Sequence, residues 1–393
     1  MRNQLKKQLN WKMQQFNNIR VILSGGGTGG HIFPAVAIAN AIKKAAPGAD
    51  IMFVGAKGRM EMEKVPASGY PIEGLWISGL QRRLTADNLM FPFKVISSLF
   101  VARRILKSFK PDVVVGTGGY ASGPTLRMAS WLNIPTLIQE QNSFPGITNK
   151  MLASKANKIC VAYPDMEKFF PESKICITGN PVRHDIEFNN HTREEALKFF
   201  GLNAGKTTLL VVGGSLGART INRSIDAGLK ILVGNNIQLI WQTGKNYAIQ
   251  ASKAAAEFQE KGILTLPFIK EMDMAYSAAD MVVSRAGAIA ISELCLTGKP
   301  SILVPSPNVA EDHQTKNALS LSTRKAAILV KDSDAPISLI SAITTLASNL
   351  NEQKILSTNI SSMAIRNSAN QIAELVFELA LKKYNKSENV VEN

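Results

Sequence analysis

Each half of this chain opens on the same local pattern: a short apolar strand, a glycine-rich turn, then a helix. The first instance is Ile19-Arg-Val-Ile-Leu23 running into Ser24-Gly-Gly-Gly-Thr-Gly-Gly-His31. The second is Leu209-Leu-Val-Val212 running into Gly213-Gly-Ser-Leu-Gly-Ala-Arg219. Glycine lets the backbone approach a phosphate closely, and the helix N-terminus behind it offers unpaired N–H groups and the positive end of a dipole. Two such halves predict an α/β architecture with a cleft for a phosphate-bearing ligand.

The rest of the pattern extends this expectation. Apolar runs suited to strands fall at 19–23, 51–54, 112–115, 135–139, 159–162 and 175–178, and again at 208–212, 237–241, 263–266, 281–283 and 301–304. Helical periodicity lies between them, notably over 34–45 and 94–109, and Thr192-Arg-Glu-Glu195 has the form of a capping box. Strand–helix alternation of this kind predicts parallel sheets covered on both faces. At 393 residues the chain is long enough for two domains. The expected division is an N-terminal extension over 1–18, a first domain over 19–181, a second over 182–366, and a last helix over 367–393 that crosses back to the first domain.

Composition narrows the class. No segment has the roughly 18 consecutive apolar residues that a membrane span needs, and the first residues lack the apolar core of a signal peptide. Cys160, Cys176 and Cys295 show no CxxC spacing and are expected to be buried thiols in a reducing compartment. The net charge is +15. Much of it is local: between Trp76 and Lys110, Arg82, Arg83, Lys94, Arg103, Arg104, Lys107 and Lys110 face one acid, Asp87. On a helix over 94–110, Val95, Leu99, Ala102, Leu106 and Phe109 form one stripe. Ile96, Phe100, Arg103, Lys107 and Lys110 form its neighbour, apolar at one end and basic at the other. That second stripe suits anionic lipid headgroups, or else is a solvated basic face.

Several residues are candidates for chemistry. His31 directly follows the first glycine turn, where an imidazole can serve as a general base or as a helix cap. Three consecutive strand ends carry polar residues: His31, then Tyr120 in Gly-Gly-Tyr-Ala-Ser-Gly-Pro, then Glu140 and Asn142 in Glu-Gln-Asn. In open α/β sheets ligands bind beyond the carboxyl ends of strands. In the second half, Ser215 sits in the glycine turn. Glu293 follows Ser284-Arg-Ala-Gly and could bind a sugar diol, and Asp312-His-Gln314 could meet sugar hydroxyls. No spacing supports a metal site, and no cofactor is expected. Gly25, Gly27 and Gly30 fit a dinucleotide fingerprint, but the second strand ends in Gly55-Ala-Lys57 rather than in the acid that would hold a ribose. Nucleic acid is disfavoured as a partner, because aromatic stacking platforms and reading helices are lacking.

Taken together, these motifs resemble a known family. They are Gly-Gly-Gly-Thr-Gly-Gly-His-Ile-Phe-Pro-Ala, Ile-Ser-Gly-Leu, Gly-Gly-Tyr-Ala-Ser-Gly-Pro, Glu-Gln-Asn-Ser-Phe-Pro-Gly-Ile-Thr-Asn-Lys, Gly-Asn-Pro-Val-Arg, Val-Val-Gly-Gly-Ser-Leu-Gly-Ala-Arg, Arg-Ala-Gly-Ala-Ile-Ala-Ile-Ser-Glu-Leu and Asp-His-Gln-Thr-Lys-Asn-Ala. The family is that of the glycosyltransferase family 28 enzymes of peptidoglycan synthesis that convert lipid I to lipid II, and the likeness runs from about residue 19 to about 370.

The resemblance implies a GT-B fold, with two Rossmann-like domains facing across a cleft that holds UDP-N-acetylglucosamine. It implies donor-site roles for Thr28, Gly29 and Gly30, a sugar contact at Asn142, and a basic group at the domain junction in Arg183. Ser215 should meet the diphosphate, the Ile269 backbone the uracil, Glu293 the ribose and Gln314 the sugar hydroxyls. Tyr120 is expected on the acceptor side, and either His31 or Glu140 as the base of an inverting displacement. The implied partners are lipid I, an anionic membrane surface, and cell-wall synthesis and division proteins. The implied location is peripheral, on the cytoplasmic face of the inner membrane. Two features depart from the family pattern: the extension of about eighteen residues, and Phe144-Pro145 where a small or tyrosine-like pair is expected. Other UDP-sugar enzymes of the same fold, diacylglycerol glycosyltransferases and UDP-N-acetylglucosamine 2-epimerases among them, are the rival readings.

Overall fold

A computed structural model describes residues 18–79, 90–214, 216–309 and 312–391, with side chains described to residue 384. The chain divides into two compact units, one running to Val182 and resuming at Asn367, the other spanning Arg183–Arg366.

The first unit is a seven-stranded parallel sheet in the order β3-β2-β1-β4-β5-β6-β7. Its strands are β1 (Arg20–Gly25), β2 (Asp50–Ala56), β3 (Ile72–Leu75), β4 (Val113–Gly118), β5 (Thr136–Glu140), β6 (Lys158–Val161) and β7 (Ile175–Ile177). Both faces are covered, so buried apolar residues occupy successive positions instead of alternating with polar ones. Val21 and Leu23 pack on one face with Ile38 and Ile42 of α1 (Gly29–Ala45). Ile22, one residue between them, packs on the other face with Ala102 and Leu106 of the helix Phe91–Phe109 and Leu126 of Ser122–Trp131. The closing helix Ser368–Val391 lies against α1 and adds Ile372, Val376 and Phe377 to the first of these cores.

The second unit is a six-stranded parallel sheet in the order β10-β9-β8-β11-β12-β13. The strands are β8 (Thr207–Val212), β9 (Ile237–Gln242), β10 (Ile263–Leu266), β11 (Met281–Ser284), β12 (Ser301–Leu303) and β13 (Ile328–Leu329). Leu209, Val211, Leu239 and the fully buried Trp241 meet Ile221, Ile225 and Leu229 of the helix Arg219–Gly234 and Leu339 and Ile343 of Ala335–Ser348. In both sheets the strand order reverses beside the first strand, between β1 and β4 and between β8 and β11. Crevices at such reversals are where doubly wound sheets hold ligands.

Several expectations differ in detail from the structure. The first helix begins at Gly29, not near Pro34, because glycines carry no helical signal although their backbone joins the first turn. The basic helix starts at Phe91, with Pro92 in its first turn. Strand β3 carries Glu73 and Gly74 and shows no apolar run. Cys160 and Cys295 are buried, but Cys176 is partly exposed, since β7 is an edge strand with one side uncovered. The extension, apart from Asn18, lies outside the described residues.

Candidate functional site

In the first unit, the loop after β1 is shaped by a buried carboxylate. Glu61, fully buried at the start of the short helix Glu61–Ala67, accepts from Gly27 N at 2.9 Å and from Ala56 N at 3.0 Å. A Cβ on Gly26 would lie 2.1 Å from the Glu61 carboxylate oxygen, so glycine is required there. Gly26 N donates to Gly118 O at 3.3 Å. The Gly26 and Gly27 amides are therefore committed within the fold. The N–H groups that a helix start leaves open fall one step later, at Gly29 and Gly30, with Thr28 as N-cap. This corrects the simple expectation that the whole first glycine turn cradles phosphate.

His31 lies in the first turn of α1, half-buried. Its Nδ1 is 2.8 Å from Gln141 Oε1, and its carbonyl accepts from Thr117 Oγ1 at 2.8 Å. Gly118 has φ +101° and lies under the imidazole, so that a Cβ there would sit 2.8 Å from the ring. Tyr120 is exposed and covers Gly79, where a Cβ would meet its ring at 2.1 Å. Thr28 and Gly30 are also exposed.

Glu140 does not share this openness. It is buried at the end of β5 and accepts four hydrogen bonds: from Asn142 N (3.0 Å), Asn142 Nδ2 (3.2 Å), Gly146 N (3.1 Å) and Asn149 Nδ2 (2.8 Å). Its oxygens are occupied in bracing the loop 141–146, which leaves none to take a substrate proton. Asn142 is held half-buried by that brace. Phe144, the departure from the family pattern, packs edge-on against Phe169 at 5.1 Å.

In the second unit, Gly213–Ala218 leads into the helix at Arg219, and Ser215 lies outside the described residues. Gly217 has φ +79° and abuts the Thr243 carbonyl, where a Cβ would be 2.2 Å away. Gln242 bridges two site segments: its Nε2 donates to Gly214 O at 3.0 Å and its Oε1 accepts from Ile269 N at 2.9 Å. The Ile269 amide is thus already spent within the fold.

Glu293 is only partly exposed as a residue, and its carboxyl group lies deep. Burial pushes that carboxyl up to about 7, against the opposing influence of the Tyr276 hydroxyl, which donates to it at 2.9 Å, and of the Arg183 guanidinium. Burial likewise pushes the Tyr276 phenol well above its usual range. Arg183 is exposed, pairs with Asp185, and donates to Lys270 O at 3.1 Å, beside Ile269. Asp185 holds its guanidinium further toward the charged form. Gln314 Oε1 accepts from Ser306 N at 2.8 Å, which pins the loop after β12 to the helix His313–Ser322. Arg183, Ile269, Tyr276 and Glu293 therefore form one constellation. Sequence reasoning missed Glu61, which holds Gly27, Gln141, which meets His31, Gln242, which holds Ile269, and Tyr276, which donates to Glu293; of the four, Gln141 lay in full view inside Glu-Gln-Asn. Among the described residues no cluster of three or more His, Cys, Asp or Glu side chains could hold a metal ion.

Two doubly wound parallel units, each with a glycine turn at its strand-order reversal, are the architecture of GT-B glycosyltransferases. Residues 21–161 match the glycosyltransferase family 28 N-terminal domain, and residues 208–376 match the family's C-terminal domain. The chain is 56% identical over 370 residues to a protein of Phocaeicola vulgatus named UDP-N-acetylglucosamine--N-acetylmuramyl-(pentapeptide) pyrophosphoryl-undecaprenol N-acetylglucosamine transferase, covering 94% of this chain and 98% of that one. The protein of the same name from Parabacteroides distasonis is 55% identical, covering 93% and 99%. A crystal structure of Acinetobacter baumannii MurG superposes with a TM-score of 0.74 at 29% identity, covering 92% of this chain and 99% of that one. A UDP-N-acetylglucosamine 2-epimerase structure shares the fold alone, at 14% identity and a TM-score of 0.61. The chain belongs to glycosyltransferase family 28 and, within it, to the family of these UDP-N-acetylglucosamine transferases.

Proposed function

We propose that this chain transfers N-acetylglucosamine from UDP-N-acetylglucosamine to the C4 hydroxyl of undecaprenyl-pyrophosphoryl-N-acetylmuramyl-pentapeptide, converting lipid I to lipid II. The observation that carries this reading is the 56% identity, across nearly the whole chain, to a transferase named for that donor and that acceptor. The site chemistry fits it. In the second unit, Glu293 accepts from the ribose hydroxyls, the Ile269 carbonyl meets the uracil edge, and Gln314 is assigned to sugar hydroxyls; in the first unit, Asn142 is assigned to the sugar. Arg183 supplies positive charge near the Glu293 carboxylate. The N-terminus of the helix at Arg219, with Ser215 in its turn, faces the diphosphate, where its dipole stabilises the departing charge.

The reaction is a single inverting displacement. The C4 oxygen attacks the anomeric carbon as its proton passes to His31, and the bond to the diphosphate breaks with its electron pair leaving on UDP. Thr28, Gly29 and Gly30 directly precede His31 and are assigned to the donor, and Tyr120 is assigned to the acceptor. Glu140 has no role as a base in this scheme, since its oxygens are filled.

The acceptor is a membrane lipid, and the exposed face of the helix Phe91–Phe109 suits a bilayer surface. Phe93, Ile96 and Phe100 are exposed at 62%, 53% and 70%, followed by exposed Arg103, Arg104 and Lys107. Val95, Leu99, Ala102, Leu106 and Phe109 pack inward. Lys94 does not belong to the basic face: it is buried, with Nζ donating to Ser78 Oγ at 3.1 Å. Arg82 and Arg83 lie outside the described residues. No helix among the described residues is long and apolar enough to cross a membrane, and the reading is a peripheral enzyme on the cytoplasmic face of the inner membrane.

The test is UDP release from UDP-N-acetylglucosamine with and without a soluble lipid I analogue. Acceptor-dependent release with a disaccharide product is expected. Release without acceptor, yielding a free epimerised sugar, would replace this reading with the epimerase one.

A further inference from the structure

Three buried amide side chains behind His31 form a chain of hydrogen bonds with a single direction. Gln139, Gln141 and Asn180 are 0%, 1% and 3% exposed. Asn180 Nδ2 donates to the backbone carbonyl of Gln141 at 3.0 Å, which fixes that amide, because a carbonyl can only accept. Asn180 Oδ1 then accepts from Gln139 Nε2 at 3.0 Å. Gln139 Oε1 accepts in turn from Gln141 Nε2. Two further backbone acceptors, Thr117 O at 2.8 Å and Gln139 O at 3.1 Å, also face Gln141 Nε2. The nitrogen side of Gln141 is therefore settled by main-chain carbonyls, and only its oxygen can point at His31.

Gln141 Oε1 lies 2.8 Å from His31 Nδ1 and has no proton to give. In the neutral imidazole the shared proton must then reside on Nδ1, and the lone pair on Nε2. Thr117 tightens the arrangement from a second side. Its carbonyl accepts from Gln141, and its hydroxyl donates to the His31 carbonyl, so one residue of β4 holds both members of the pair.

We propose that Gln141 is a positioning residue that sets His31 in the Nδ1–H tautomer and leaves Nε2 as the basic nitrogen. Its catalytic meaning rests on the reading of His31 as the base, whereas the tautomer itself does not. An amide in this place orients the ring without a second charge. A carboxylate could not replace it, because Thr117 O and Gln139 O would then face an acceptor.

The experiment is 15N NMR of the full chain with labelled histidine. His31 is assigned among the four histidines by its absence in His31→Gln. In the wild type, Nε2 should resonate as an unprotonated nitrogen and Nδ1 as a protonated one. Gln141→Met, close in volume but unable to accept strongly, should move neutral His31 toward the Nε2–H form that isolated imidazoles favour. It should also lower kcat by about tenfold or more while KM for the donor changes by less than about twofold. The wild-type spectrum decides the proposal even if the Met variant folds poorly. A wild-type His31 protonated on Nε2 would overturn it, as would a folded Met variant that keeps both the Nδ1–H signal and wild-type kcat. Normal turnover of His31→Gln would remove the base reading alone, since the tautomer is read in the enzyme without substrate.

Discussion

At the residue scale, Glu293 shows how a binding group works against the fold that holds it. Its carboxyl sits near 7 because burial opposes its charge. Above that value it is a carboxylate that can accept from both ribose hydroxyls, and below it carries a proton. KM for UDP-N-acetylglucosamine should therefore rise as pH falls from 8 to 6 and should lose that dependence in Glu293→Gln; a flat wild-type profile would contradict the assignment. Stability runs the other way. Between the ordinary 4.5 and about 7 the native state holds a proton that the unfolded chain has lost, so stability declines as pH climbs through that window. Glu293→Gln should gain roughly 1–3 kcal/mol in urea unfolding at pH 8 and little at pH 5, while binding donor less well. His31→Gln should cut kcat by about a hundredfold or more, the ordinary worth of a general base. Glu293 and His31 were legible in sequence because each follows a glycine turn that opens a helix. The roles of Glu61 and Gln141 were not, because each acts on a group far off in the chain, Gly27 N 34 residues away and His31 Nδ1 110 residues away, and no local pattern records such a bond.

At the scale of elements, the first glycine turn is held by the helix that follows β2. Glu61→Ala would strand the buried Ala56 amide and release the exposed Gly27 amide to water, and a buried donor left without a partner costs about 1–3 kcal/mol. The expected result is a loss of roughly 1–3 kcal/mol in urea unfolding, with turnover falling further than that of the surface control Glu63→Ala. Wild-type stability in Glu61→Ala would show that the loop does not depend on its brace. Sequence periodicity found the strands that are apolar throughout and the capping box at Thr192, whose hydroxyl accepts from Glu195 N at 3.2 Å. It missed β3 and the two-residue β13, where a neighbour's hydrogen bonds, not the residues' own character, make the strand.

At the scale of the whole molecule, the +15 charge is organised and not merely large. Burial of Lys94 takes one cation out of the basic segment, while Arg103, Arg104 and Lys107 remain exposed behind three exposed apolar side chains. Reversing Arg103 and Lys107 to glutamate should weaken binding to anionic liposomes by roughly tenfold or more, at about 1 kcal/mol per basic residue near such a surface. Turnover of a soluble acceptor should be unchanged, and undiminished liposome binding would remove this face from the account. The helix Ser368–Val391 has a different consequence. Ile372, Val376 and Phe377 complete the core around β1, although more than three hundred residues separate them from it in the chain. During synthesis the second unit has all of its residues before the first has the last pieces of its core. The half of the protein that begins first is the half that can finish folding only at the end, and a chain cut after Arg366 would carry every residue of the second unit and a first unit still open along α1.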